Sequence, residues 1–120
     1  MIPYTDHNGV AGVLTYFVGD GPEYQVHWSP DGDDLGAPAN LIYRSGTVSI
    51  SAMTPWDGGV LTAFARPGGN NVVCFSSDPV ANPNTLYNLG DTRYGPPTPH
   101  SANTPVSAMV PHANGVLTIF

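Results

Sequence analysis

A chain of 120 residues with 41% hydrophobic content has the length of one ordinary domain and enough apolar material for a core. Three arginines and no lysine, against nine acidic residues, leave a formal net charge of −6; without a basic stripe, nucleic acid and anionic membrane surfaces are poor partners. Fourteen glycines, 13 prolines and only 10% charged residues suit short strands joined by tight turns and argue against helix.

The chain opens with Met1-Ile2-Pro3-Tyr4, which has neither the basic nor the apolar character of an export signal. Gly12-Val13-Leu14-Thr15-Tyr16-Phe17 follows and reads as a strand, being rich in β-branched and aromatic residues. Gly19-Asp20-Gly21-Pro22 turns the chain into a second strand, Tyr24-Gln25-Val26-His27-Trp28, which Ser29-Pro30-Asp31-Gly32-Asp33-Asp34 breaks with turn chemistry. Asn40-Leu41-Ile42-Tyr43-Arg44 is a third strand, and Thr47-Val48-Ser49-Ile50-Ser51-Ala52-Met53 a fourth that leads onward.

The same plan then starts again. Met53-Thr54-Pro55-Trp56 and Gly59-Val60-Leu61-Thr62-Ala63-Phe64 repeat the opening, and Met109-Val110-Pro111-His112 with Gly115-Val116-Leu117-Thr118-Ile119-Phe120 repeats it once more. The starts at Met1, Met53 and Met109 give periods of 52 and 56 residues. Val72-Val73-Cys74-Phe75-Ser76-Ser77-Asp78 aligns with Gln25-Val26-His27-Trp28-Ser29-Pro30-Asp31. Four residues separate Asp31 from Leu35-Gly36 but eleven separate Asp78 from Leu89-Gly90, so the second unit carries a seven-residue insertion around Pro79–Asn84, expected as a longer surface loop. Pro96-Pro97-Thr98-Pro99 is a further irregular stretch. The expected organisation is repeat unit 1 over 1–52, unit 2 over 53–108 and a partial unit 3 over 109–120.

Four short strands in a unit of roughly fifty residues match one blade of a β-propeller, a sheet that must be apolar on both faces to stack between neighbours. The fold class expected is all-β, built of propeller-type repeats of four-stranded antiparallel blades, with a β-sandwich as the structural alternative. Trp28-Ser29-Pro30-Asp31-Gly32-Asp33-Asp34-Leu35-Gly36, followed by Ser51-Ala52-Met53-Thr54-Pro55-Trp56 and Gly59-Val60-Leu61-Thr62-Ala63-Phe64, resembles the tandem blade repeats of bacterial β-propeller proteins. The resemblance implies a propeller fold and, by analogy with small-repeat propellers of the lectin kind, sugar binding. Two whole units and the start of a third do not close a ring, so a homo-oligomer or membership of a longer repeat array is expected, for example a six-bladed ring from three chains.

Tyr4, Trp56 and His112 occupy one position in the three units, beside turns marked by His7-Asn8-Gly9, Asp57-Gly58 and Ala113-Asn114. A sugar stacks its C–H face on an aromatic ring while its hydroxyls meet fixed polar groups. Tyr4, Trp56, Asp57, His112 and Asn114 are therefore the candidate ligand-binding set, against the alternative that the rings serve packing. Glycan ligands favour an extracellular or cell-surface setting. Trp28 and Phe75, equivalent in the repeats, read as core.

Metal and catalytic chemistry find little support. His7, His27, His100 and His112 have no ligand-type spacing, and no metal or other cofactor is expected. Asp31-Gly32-Asp33-Asp34 could offer oxygens to calcium but lacks an EF-hand loop, and reads as a solvated turn. Glu23 is the one glutamate, so the carboxylate pair of a glycosidase is missing, and no Gly-x-Ser-x-Gly elbow occurs. Cys74 lies in an apolar strand and reads as a buried thiol. The expectation is a non-enzymatic carbohydrate-binding module. The alternatives are a structural or protein-interaction scaffold assembled through its repeats, and a fragment of a larger propeller protein.

Overall fold

A computed structural model describes residues 1–18, 23–30, 32–45, 48–65, 71–87 and 105–119. The turns expected over 19–22 and 66–70, Asp31, His100, Leu89-Gly90, Pro96–Pro99 and Phe120 lie outside the described residues. Among those described, the chain is all-β: nine strands form three antiparallel sheets, and the remaining regular structure is two short 3-10 turns.

The first sheet contains β1 (Ile2–Thr5), β2 (Ala11–Val18), β3 (Tyr24–Pro30) and β4 (Leu41–Ser45), hydrogen-bonded in chain order. The second contains β5 (Ser49–Trp56), β6 (Gly59–Ala65) and β7 (Asn71–Ser76), again in chain order. The third is the hairpin β8 (Ala108–His112) and β9 (Gly115–Ile119). The strand expected over 47–53 does not close the first sheet. It pairs forward, as β5 with β6, and the first sheet takes Ile2–Thr5 as its opening strand instead. Pro3, Pro55 and Pro111 fall on β1, β5 and β8, each at the edge of its sheet, where a missing N–H costs no ladder bond.

The registers repeat. Tyr4 pairs with Gly12, Trp56 with Gly59 and His112 with Gly115; Leu14 pairs with Trp28 and Leu61 with Phe75. A close approach explains the glycines at two of these sites. A Cβ on Gly12 would come within 2.6 Å of both the Trp28 ring and the Ser29 carbonyl, and one on Gly59 within 2.7 Å of the Phe75 ring. In each of these two sheets an aromatic from the third strand lies across the glycine of the second and meets an aromatic of the first edge-on. Tyr4 and Trp28 have centroids 5.9 Å apart, Trp56 and Phe75 5.6 Å.

The three sheets stack face to face. Leu14, Val26, Trp28 and Tyr4 of the first pack against Ile50, Met53, Val60, Phe64, Val72 and Cys74 of the second. The opposite face of the second sheet, with Ala52, Leu61, Ala63, Val73 and Phe75, packs on Met109 of the third and on Val106 just before it. The middle sheet is thus apolar on both sides, and β6 is buried from Gly59 to Phe64. A bulge makes this possible in β5. Ile50 pairs with Phe64 and Ala52 with Ala63, so Ser51 is the extra residue, and positions two apart face opposite neighbours.

Local hydrogen bonds complete the first sheet. His27, 2% exposed, stacks on Phe17 at 4.9 Å and has Nδ1 2.9 Å from the Ala37 carbonyl. A carbonyl only accepts, so Nδ1 carries the proton, and the ring ties the 34–40 loop to the sheet. In the second unit Leu86 and Tyr87, from the 3-10 turn Pro83–Tyr87, cover the corresponding end, with Tyr87 edge-on to Phe64 at 4.8 Å.

Candidate functional site

The edge strands β1, β5 and β8 run side by side, and the turns that follow them meet around a cleft of about 830 Å³. That volume is in the range of small-molecule sites. Its walls come from equivalent positions of the three units: Pro3, Tyr4 and Thr5; Pro55, Trp56, Asp57, Gly58 and Gly59; Pro111, Ala113 and Asn114.

Each wall follows from local sequence. Asp57 and Gly58, at φ of 47° and 75°, form a two-residue turn with both residues left-handed, the geometry that matches hairpin twist and favours Asp-Gly. Ala113 holds a φ of 50° at the corresponding turn, an uncommon conformation for alanine. The first unit spends more residues here. Asp6 Oδ1 accepts the backbone N–H groups of Asn8 and Val10 at 2.9 and 2.8 Å, folding a longer turn on itself.

Of the five candidate ligand residues, Tyr4, Trp56, Asp57 and Asn114 line this one cleft. His112 stands exposed at the end of β8, and its unit contributes Pro111, Ala113 and Asn114 in its stead. The aromatics differ in availability. Tyr4 is buried against Trp28, whereas Trp56 keeps part of its ring exposed.

Tyr4 also marks a seam between units. Its hydroxyl lies 3.4 Å from both the Ser77 carbonyl and Asp78 Oδ1, and His7 Nδ1 lies 2.6 Å from Asp78 Oδ2. Asp78 Oδ1 further accepts the N–H groups of Val80 and Ala81, so one carboxylate ties the loop after β7 to the turn after β1. Burial, and then the Asp78 charge, push the Tyr4 hydroxyl up to about 12.

Sequence reasoning missed the three prolines, Thr5 and Asp78. The prolines carried a readable signal, being invariant within the Met-x-Pro motif of this chain. Asp78 carried none, because its partners are more than seventy residues away. Asp33 and Asp34 are exposed, and among the described residues no three His, Cys, Asp or Glu side chains gather as metal ligands. Among those residues, too, no helix is long and apolar enough to cross a membrane. No protein-family model, curated protein or solved structure matches the chain.

Proposed function

We propose that this chain is a non-enzymatic carbohydrate-binding module of propeller-type repeats, with the cleft between the three turns as its sugar site. The observation that carries the reading is the convergence of repeat-equivalent turns on one cleft bearing a half-exposed Trp56. A pyranose would stack its apolar face on the Trp56 ring, and Asp57 and Asn114 would meet its hydroxyls. Tyr4, whose hydroxyl is engaged with Ser77 and Asp78, would contribute the wall of the site. His112, exposed at the end of β8, would serve as an auxiliary contact. Sites of this kind gain from multivalency on glycan surfaces, outside cells or on their surface.

A glycan array tests the reading. Binding is expected, and Trp56→Ala should abolish it while circular dichroism stays that of the parent. Silence across the array would instead favour the scaffold reading, in which the edge-on contact of Trp56 with Phe75 is its whole purpose.

A further inference from the structure

The stack of sheets uses one interface twice. In both cases the face holding the Leu of the Gly-Val-Leu-Thr strand packs on the face holding the Val and Thr of the following unit. Leu14 of the first sheet meets the side of the second that holds Val60, and Leu61 of the second meets the side of the third that holds Val116. The first partner of each contact draws on the same repeat positions. Ile2, Tyr4, Leu14 and Tyr16 supply it in the first sheet, and Thr54, Trp56, Leu61 and Ala63 in the second.

The third sheet has the same face, and there its large apolar residues stand exposed. Val110, Leu117 and Ile119 match Thr54, Leu61 and Ala63 in register, and they are 51%, 54% and 60% exposed. The complementary face is only partly covered at the other end of the stack, where His27 and the 34–40 loop lie over its Phe17 end. Val13, Thr15 and Phe17 on the outer side of the first sheet are only half-buried, whereas their counterparts Val60, Thr62 and Phe64 are fully buried. Met1 is 73% exposed where Met53 and Met109 are buried. Each end of the chain's stack therefore displays one half of the interface already made twice within it.

We propose that the exposed face of the β8–β9 sheet, centred on Leu117, docks on the outer face of the first sheet, centred on Val13, of a second copy of this chain. The contact is head to tail and continues the stack from chain to chain. Its apolar pairing is the one that buries Leu14 and Leu61, and removing exposed aliphatic area from water drives it. The inference does not depend on sugar binding.

Light scattering coupled to size exclusion tests it on the 120-residue chain, with a concentration series. The wild type is expected at multiples of its 12.6 kDa mass. Leu117→Asp and Val13→Asp each spoil one face and should each give the monomer mass alone, with the circular dichroism of the parent. Mixed, they retain one good face apiece and should give twice the chain mass and no more. Ile119→Glu substitutes for Leu117→Asp if that variant does not fold. A monomeric wild type throughout the series overturns the proposal. So does a Val13→Asp chain that still assembles, since that result means like faces pair with like.

Discussion

Strands β6 and β9 carry the same Gly-Val-Leu-Thr run, yet the first is buried along its length and the second only at alternate residues, and then in part. The difference comes from neighbours. Among the described residues, the second sheet has one on each side, and the third has one. A strand apolar on both faces is thus the requirement of a middle position. On β9 the equivalent positions leave Leu117 and Ile119 in water, a cost that apolar cover on that face would remove.

Glycine substitutions give the sharpest way to break this comparison. Gly59→Ala would drive a methyl into the Phe75 ring and the Ser76 carbonyl, and Gly12→Ala into Trp28 and Ser29, so each should cost about 1–3 kcal/mol in chemical denaturation. Gly115→Ala meets nothing nearer than the His112 carbonyl at 3.9 Å and should leave the midpoint unchanged. Equal losses at all three positions would show that the motif glycine serves the turn and not the overlying ring.

The threonine of the motif predicts a gain. Thr62 Oγ1 is fully buried in the middle sheet without a hydrogen-bond partner, so Thr62→Val should raise stability by about 1 kcal/mol. The same exchange at Thr15, whose hydroxyl is likewise buried and unpaired, should have the same sign. A loss at Thr62 would mean that its hydroxyl is paired after all.

The smallest effect concerns the aromatic position. Tyr4 ionises at about 12 in the folded chain, above the ordinary value of 10. The folded state therefore holds this proton more tightly than the unfolded one, and stability present below pH 10 falls as pH rises toward 12. An ultraviolet titration should show a late-ionising tyrosinate that moves down in Asp78→Asn, because the neighbouring negative charge is gone, whereas Tyr43, also raised by burial, should stay in place. No movement would leave burial and the Asp6 charge as the causes. His112, at the same repeat position on the third sheet, is exposed.

The repeat and the all-β class were legible because they rest on local pattern: glycine, then β-branched and apolar residues, written three times. The pairing of Ser49–Trp56 was not, since alternation announces a strand without naming its partner. Ile2–Thr5 was hidden by its length and by Pro3, and the extra residue Ser51 leaves no mark in composition. Tyr4, Trp56, Asp57 and Asn114 could be put on one list because repeat equivalence brings like positions together. What that equivalence does not convey is cover. It assigns Tyr4 and His112 the same place, though one is enclosed by Trp28 and Asp78 and the other faces solvent.

Cys74, the only cysteine in the sequence, sits 1% exposed on the face of the second sheet that meets the first. A thiol reagent can reach it only when those two sheets part. The rate of labelling in native buffer therefore times that parting, separately from global unfolding. One sulfur atom makes the seam between two repeats into a clock, readable by mass spectrometry on the unaltered chain.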